Sequence, residues 1–323
     1  MAHLDVVSRR WIDPQIVERV ARSFGIEARG LAFVRDVANI VYASADGTRF
    51  LRFSHHDDHS EKHVRAEIEW LDFLVAEGLP VCRPVRTKQD DAVLAADGEY
   101  TAAVFERVRG AEIAEDDDRE PIFTAIGSFL GQLHNASSRF RPRDPNHVRP
   151  QWNEVEGLEP VLASWASDDH IVIDAWREIF GRIQAMDAGQ DRFGLIHGDV
   201  HRGNISLHEE GIDVFDFDDS CYFFHAADVA NSLYYALWFH RFDPEPERRR
   251  LARRLLDALL SGYRSERPFG SEDVARIPDL LEFRELTVDA FSHRRRLNSE
   301  TDVRKRYQQV RARIASGALY VEF

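Results

Sequence analysis

The sequence has little cysteine and no long apolar segment. Its two cysteines, Cys82 and Cys221, are far apart and fit no CxxC spacing, which excludes a disulfide framework and is typical of a reducing compartment. No stretch approaches the ~18 uninterrupted apolar residues of a transmembrane helix, and the most apolar window, 229–239, predicts a core helix. Residues 1–11 contain no apolar signal region. We therefore expect a cytoplasmic protein that does not cross a membrane.

The sequence also has fewer positively charged than negatively charged residues. Lysine and arginine number 42 against 56 aspartates and glutamates, a formal net charge of −14. An acidic surface repels phosphate backbones and anionic lipids, so we expect neither a nucleic acid nor a membrane as partner. With 44% apolar and 30% charged residues the chain is typical of a globular protein, and its 323 residues suggest two domains or lobes. Nothing in the sequence indicates an oligomeric state.

The first hundred residues alternate between short apolar runs and one long amphipathic segment. Asp13 and Pro14 have the capping and first-turn chemistry of a helix that ends at Gly25. Apolar residues at helical spacing predict a second helix over 60–77. Strands are predicted for 31–34, 40–43, 50–53, 92–95 and 100–106. The pattern therefore predicts an antiparallel sheet with one helix inserted after the third strand.

Beyond residue 109 the periodicity becomes helical. The acidic run 115–118 predicts a solvated loop and helix start, and one strand-rich stretch follows at 194–217. Helical periods recur near 159–184, 226–240, 246–263 and 273–314. We expect an α+β protein with an N-terminal lobe over 1–105, a hinge over 106–112 and a helical C-terminal lobe over 113–323.

The segment 195–219 contains the polar residues that indicate chemistry. Asp199, Asn204 and Asp216 each lie near a short apolar run that predicts a buried strand, and rigid strands can direct such side chains to one point. Two other chemistries fit parts of this segment. His197 and His201 flank Asp199 at the spacing of transition-metal ligands on a strand, and the sequence Asp-x-Asp at 216–218 occurs in some phosphatases and glycosyltransferases. The residues alone leave these alternatives open.

This segment resembles one family of enzymes. His-Gly-Asp-x-His-x-x-Asn at 197–204, followed by an apolar strand and Asp-Phe-Asp at 216–218, is similar to the motif of the aminoglycoside phosphotransferase and choline kinase family. The resemblance implies a bilobal, protein-kinase-like fold that uses ATP and Mg²⁺. It implies that Asp199 is the base or orienting residue and that Asn204 and Asp216 hold the Mg²⁺. The implied acceptor is a hydroxylated small molecule, with aminoglycoside-, choline- and homoserine-like compounds, including cationic ones, as candidates.

The same resemblance assigns roles in the N-terminal lobe. Arg52 on the third strand stands where the family often has Lys and would bind the ATP phosphates. Its partner would be Glu67, with Glu69 as second choice and a plain surface ion pair as the alternative. Phe105 and Arg107 lie in the segment that joins the lobes, whose backbone is expected to bind the adenine edge.

Other segments fit the family less closely. The loop 35–39 lacks the glycines that let backbone amides approach phosphates. The segments 283–285 and 294–296 resemble the branch that includes type II homoserine kinases and the bacterial stress response kinase. Arg202 is expected at the solvent or at the substrate rim, and Asp228 is expected to anchor the catalytic region.

Two rival functions share the same fold. A protein Ser/Thr kinase of the stress-response type is one, although Asp228 follows Asp218 after only ten residues and leaves little room for a peptide platform. A nucleotide-binding pseudokinase is the other, favoured by the missing glycines and by Arg52. Aromatic residues at 222–224, 234, 235 and 238 are expected in the core, with a cage for an amine as the alternative.

Overall fold

An N-terminal helix precedes a five-stranded antiparallel sheet. The computed structural model describes residues 11–36, 38–114, 116–154, 170–294, 300–318 and 320–321, without the side chains of 190, 290–294 and 300–307. Helix α1 (Pro14–Ser23) begins where predicted, because the side chain of Asp13 accepts a hydrogen bond from the Gln15 amide at 2.8 Å.

The sheet has the strand order β1-β2-β3-β5-β4, and each neighbouring pair is antiparallel. Its strands are β1 (Ala32–Asp36), β2 (Ile40–Ala43), β3 (Arg49–His55), β4 (Val93–Ala95) and β5 (Tyr100–Glu106). Helix α2 (Glu61–Ala76) follows β3. The predicted sheet with one inserted helix is therefore confirmed.

The rest of the chain is mainly helical, and small sheets lie within it. Strand β10 pairs with β7, and β6, β8 and β9 form a three-stranded sheet. In chain order the elements are β6 (Ala111–Glu112), α3 (Glu120–Ser137), α4 (His170–Gln184), α5 (Gly189–Arg192), β7 (Phe193–Ile196), a 3₁₀ turn (Arg202–Asn204), β8 (Ile205–His208), β9 (Gly211–Val214), β10 (Cys221–Phe224), α6 (His225–Trp238), α7 (Glu245–Glu266), α8 (Ser271–Arg294) and α9 (Glu300–Ala315).

Some predictions fall outside the described residues. These are the first part, 159–169, of the helical period near 159–184, position 115 of the acidic run, and positions 295 and 296 of the arginine segment. The side chain at 294 is likewise not described. Among the described helices, none combines the length and the apolar character that a membrane span requires.

A short segment after α2 ties the N-terminal sheet region to the helical region. The Val214 amide donates to the Pro80 carbonyl at 2.8 Å, and the Cys82 amide donates to the Val214 carbonyl at 2.9 Å. Val81 therefore lies beside the end of β9 in a parallel bridge. This connection fixes the position of the residues that follow β9, which include Asp216.

Helices α3 and α7 pack unusually closely. A Cβ atom on Gly262 would lie 1.9 Å from the Thr124 carbonyl oxygen, and one on Gly127 would lie 2.0 Å from the Leu259 carbonyl oxygen. Neither position has room for a side chain, so the two glycines set the distance between the helices.

We expect Gly262→Ala to lower the free energy of unfolding by about 1–3 kcal/mol, because the added methyl group forces α3 and α7 apart. Gly181→Ala is the matched control, since Gly181 lies in α4 with no atom within 4 Å of a built Cβ. There alanine should raise stability by about 0.5–1 kcal/mol through helix propensity. Urea unfolding followed by circular dichroism measures both changes, and equal stabilities would contradict the close packing.

Candidate active site

A buried carboxylate in the first turn of α6 holds the loop that follows β7. Asp228 is fully buried and accepts hydrogen bonds from the amides of His197 at 3.0 Å and Gly198 at 2.8 Å. His134 of α3 contacts the same carboxylate through Nε2 at 3.0 Å and contacts the Tyr263 hydroxyl through Nδ1 at 2.8 Å. Burial lowers the pKa of His134 and raises that of Asp228. Asp228 thus anchors the loop, the structural role expected of it.

Gly198 lets the loop after β7 approach the loop after β9. Its φ of +84° is in the left-handed region, and a Cβ there would lie 2.5 Å from the Asp219 carbonyl oxygen. Only glycine satisfies both constraints without displacing a loop. The close approach places Asp199 near the acidic residues at 216–219.

The carboxylate of Asp199 is contacted from three directions. Asn204 Nδ2 donates to Oδ2 at 3.0 Å, His201 Nε2 lies 3.4 Å from the same oxygen, and the Arg284 guanidinium pairs with Oδ1. Burial would raise the pKa of Asp199, but Arg284 and the neighbouring histidines hold it well below its ordinary value. Asp199 is therefore an ionised, oriented acceptor of hydrogen bonds.

Arg284 is the site residue that motif reasoning missed. It lies on α8, also bonds the Tyr235 hydroxyl at 2.8 Å, and its guanidinium lies over the Tyr235 ring at 5.2 Å. In the sequence, the resemblance of 283–285 to a family branch pointed to the segment that contains Arg284, but it did not identify the contact with Asp199. Tyr235 consequently lines the site, whereas Tyr234 is core.

The β8–β9 hairpin brings Asn204 and Asp216 together. Ile205 pairs with Val214, and the Phe215 amide donates to the Asn204 carbonyl at 3.0 Å. Asp216 has a left-handed φ of 69°, and its carboxylate contacts Arg35 and lies 3.8 Å from Arg52. Because Asn204 Nδ2 is used by Asp199, its Oδ1 is the atom left to bind a cation beside Asp216.

Arg52 forms a buried bidentate pair with Glu67. The two hydrogen bonds measure 2.9 and 2.5 Å, and the side chains are 5% and 1% exposed. Burial lowers the pKa of Arg52, but the Glu67 charge and hydrogen bonds outweigh it and the net shift is upward. Glu69 faces elsewhere and contacts His147 at 3.0 Å. The Phe105 ring lies 4.8 Å from the Arg52 guanidinium.

Four carboxylates crowd the loops at 199 and 216–219. Burial and the charge of Asp218 raise the pKa of Asp216, and burial with the charges of Asp218 and Asp199 raises that of Asp219 to about 8. Asp218 itself accepts a hydrogen bond from Asn39 Nδ2 at 2.5 Å. Such mutual repulsion favours binding of a cation.

The donor set fits a magnesium ion better than a transition metal. No group of three or more His, Cys, Asp or Glu residues suited to a metal occurs among the described residues. His197 is fully buried and committed, since Nδ1 accepts from the Asp199 amide at 3.2 Å and Nε2 donates to the Phe215 carbonyl at 3.3 Å. Oxygens of Asn204 and Asp216 suit Mg²⁺, which takes few protein ligands when phosphates supply the others.

One expectation about an arginine differs from the structure. Arg202 does not lie at the solvent or the substrate rim: it is 6% exposed, pairs with Asp118 at 2.7 Å and lies between aromatic rings. Spacing along the sequence could not reveal those partners, which come from other elements. Arg107 is exposed and its guanidinium lies next to Gly47; its place in the segment expected to bind the adenine edge stays a prediction.

The chain is similar to known proteins. The family model described as "Phosphotransferase enzyme family" matches residues 31–269. Amicoumacin kinase of Bacillus subtilis (strain 168) is 25% identical over 288 residues, which cover 87% of this chain and 85% of the relative.

Two solved structures share the fold. Amicoumacin kinase hAmiN in complex with AMP-PNP, Ca²⁺ and Ami has a TM-score of 0.87 at 24% identity, with 97% and 96% of the two chains covered. A microcompartment-associated aminopropanol kinase has a TM-score of 0.73 at 23% identity, with 94% and 98% covered. The likeness confirms the predicted kinase-like α+β fold class.

A double-mutant cycle tests the buried Arg52–Glu67 pair. We expect Arg52→Met and Glu67→Leu each to cost about 3–5 kcal/mol of unfolding free energy, because each leaves an uncompensated buried charge. The double variant should cost less than the sum by more than ~1 kcal/mol. The exposed pair of Arg22 and Glu18 is the control, with an expected coupling of about 0.5 kcal/mol or less. Additive costs at the buried pair would contradict the interaction.

Proposed function

The chain belongs to the phosphotransferase enzyme family, and from that premise we propose that it transfers the γ-phosphate of ATP to a hydroxyl group of a small molecule. One observation carries the proposal: an ionised Asp199 is held by Arg284 and by Asn204, and Asn204 is in turn hydrogen-bonded to Phe215, the residue before Asp216. Phosphoryl transfer requires little more than an oriented acceptor and neutralised phosphate charge.

Asn204 and Asp216 are proposed to hold Mg²⁺, and Arg52 to bind the phosphates. A bound Mg²⁺ supplies positive charge that neutralises the phosphate oxygens. Arg52 is suited to its role because Glu67 fixes the guanidinium in one orientation, and the Arg52 Nη1 atom lies 3.8 Å from Asp216 Oδ1. The two positively charged groups would thus meet the triphosphate from adjacent directions.

Asp199 is proposed to orient the acceptor. An ionised carboxylate accepts a hydrogen bond from the acceptor hydroxyl and takes its proton as the bond from the acceptor oxygen to the γ-phosphorus forms and the bond from that phosphorus to the bridging oxygen breaks, so that ADP leaves. Since the pKa of Asp199 lies below its ordinary value, it is a weak base, and the orienting role is the larger part of its contribution.

The connection after Asp216 supports a small acceptor. Strand β10 and then α6 follow within nine residues, and β10 is paired with β7. This leaves no extended segment of the kind on which protein kinases seat a peptide. The acids at 216–219 further favour an acceptor with a positively charged amino group, in keeping with the amine in the name of the aminopropanol kinase.

Two further points belong to this proposal. We propose that the chain divides into lobes over 1–105 and 113–323, joined by a hinge over 106–112. The Glu106 amide donates to the Arg83 carbonyl, and the Arg109 amide donates to the Asp213 carboxylate. These bonds on either side of residue 107 support a junction there. A cytoplasmic location is proposed because ATP is available there, and the buried free thiols of Cys82 and Cys221 agree with it.

Asp199→Asn should lower kcat by about 10³-fold or more while nucleotide affinity stays within ~3-fold, because the amide lacks the charge that orients the acceptor hydroxyl and cannot take its proton. Asp216→Asn should weaken Mg²⁺-dependent nucleotide binding. The assay screens hydroxylated amines with labelled ATP, and Asp174→Asn on the exposed face of α4 is the control. Absence of ATP binding would contradict the proposal, and transfer of label only to proteins of a lysate would favour the protein kinase instead.

Arg284→Met should lower kcat by about 10–100-fold and leave the KM for ATP within ~3-fold, because among the described residues Arg284 hydrogen-bonds to Asp199 and Tyr235, both in the helical region. Removing this charge raises the pKa of Asp199, so the acidic limb of the pH–kcat profile should move to higher pH. Tyr235→Phe, which removes only one hydroxyl contact, is the matched control. An unchanged acidic limb would show that Arg284 does not act through Asp199.

A further inference from the structure

Arg35, near the end of β1, and Asn39, just before β2, extend their side chains to the acidic loop after β9. The Arg35 guanidinium pairs with the carboxylate of Asp216, and Asn39 Nδ2 donates to Asp218 Oδ2 at 2.5 Å. The partners are 181 and 179 residues apart in the chain. The segment 35–39, which contains no glycine, thus contacts the acidic loop through the side chains of Arg35 and Asn39.

Asp216 lies between two arginines that differ in freedom. Arg52 is 5% exposed and committed to Glu67 by two hydrogen bonds, so its position is fixed. The Arg35 side chain is 42% exposed, and within the part of the chain that the structure describes its guanidinium hydrogen-bonds to Asp216 alone. Arg35 can therefore leave Asp216 without breaking any other hydrogen bond described here, whereas Arg52 cannot move without unpairing a buried glutamate.

A bidentate guanidinium suits phosphate as well as carboxylate. In a glycine-rich loop, backbone amides approach the phosphates because no side chain obstructs them. The segment 35–39 contains no glycine that would allow such an approach, while the planar fork of arginine matches two phosphate oxygens from the end of a long side chain. Arg35, near the end of β1, is an exposed cation that already reaches Asp216 in the proposed nucleotide site.

We propose that Arg35 is an exchangeable phosphate ligand that alternates between Asp216 and the triphosphate. Paired with Asp216, Arg35 offsets the repulsion between that carboxylate and Asp218. When nucleotide and divalent cation bind, the cation takes Arg35's place on Asp216 and Arg35 moves to the phosphates. This inference rests on the proposed function, because it requires Asp216 to be a cation ligand and the nucleotide to lie in the same cleft.

The exchange predicts that removing Arg35 changes the affinities for two ligands in opposite directions. Arg35 competes with a divalent cation for Asp216, so removing it frees the carboxylate and strengthens binding of the cation alone. Arg35 also binds the phosphates, so removing it weakens binding of the nucleotide. An arginine of purely structural importance would weaken both, and a solvent-exposed ion pair without function would change neither.

The experiment uses the full chain and two separate titrations. Binding of Mn²⁺ without nucleotide is followed by electron paramagnetic resonance, and binding of a non-hydrolysable ATP analogue with Mg²⁺ is followed by calorimetry. Arg35→Ala should bind Mn²⁺ about 3–10-fold more tightly and the analogue about 10-fold more weakly. Arg35→Lys should resemble the unaltered protein toward Mn²⁺, because it retains the competing charge. Arg22→Ala, an exposed α1 arginine paired with Glu18, is the matched control.

Each outcome decides between the alternatives. Opposite shifts in the two affinities support the exchange. Affinities of Arg35→Ala equal to those of the control, or a loss of both with a lowered melting temperature, overturn it while leaving the proposed function intact. If the unaltered protein binds no analogue, the proposed function is itself overturned, and the inference with it.

Discussion

Repulsion among the carboxylates of Asp199, Asp216, Asp218 and Asp219 is the constraint on which this site depends. Burial raises the cost of each negative charge. Burial and neighbouring acids raise the pKa values of Asp216 and Asp219, whereas Arg284 and the neighbouring histidines hold the pKa of Asp199 below its ordinary value. The chain compensates with arginines from distant elements: Arg284 at Asp199, and Arg35 with Arg52 at Asp216. In the folded site the carboxylates are thus paired with arginines before any ligand binds, and binding of a charged ligand must change these pairings.

The backbone supports this arrangement at a few buried points. Asp228 accepts amides from the loop after β7, the segment 80–82 pairs with Val214 at the end of β9, and Gly198 lets the two loops meet. Each contact joins segments that lie more than fifteen residues apart. Together they hold Asp199 and Asp216 at a fixed separation while the N-terminal sheet contributes its arginines from the other side.

Local patterns were sufficient to predict part of this structure. Strand alternation and the amphipathic helix at 60–77 predicted the sheet with its inserted helix, because those signals lie within one element. The position of Asp199, Asn204 and Asp216 beside predicted strands singled out these residues, and the family resemblance assigned their roles. Helical spacing alone could not choose between Glu67 and Glu69; the contacts of Arg52 do so.

Arginine partners were the part that could not be predicted. Arg284 reaches Asp199 from 85 residues away, and Arg35 reaches Asp216 from 181 residues away. A long flexible side chain carries no periodic signal that names its partner, and Arg202 was misplaced for the same reason. Phe105 and Arg107 are close in sequence, yet only the first contacts the Arg52 guanidinium, because the chain leaves the sheet between them.

The side-chain amide of Asn204 links the two halves of the site through a single planar group. Its nitrogen donates to the Asp199 carboxylate and to the Asp199 carbonyl, both at 3.0 Å, and this leaves its oxygen turned to the other half. Aspartate has nearly the same shape but no hydrogen to donate, so at this position it would confront Asp199 with a like charge. Asparagine and aspartate therefore differ at position 204 in charge and hydrogen bonding and not in shape. An aspartate there would repel Asp199 and would not be a better ligand for a cation.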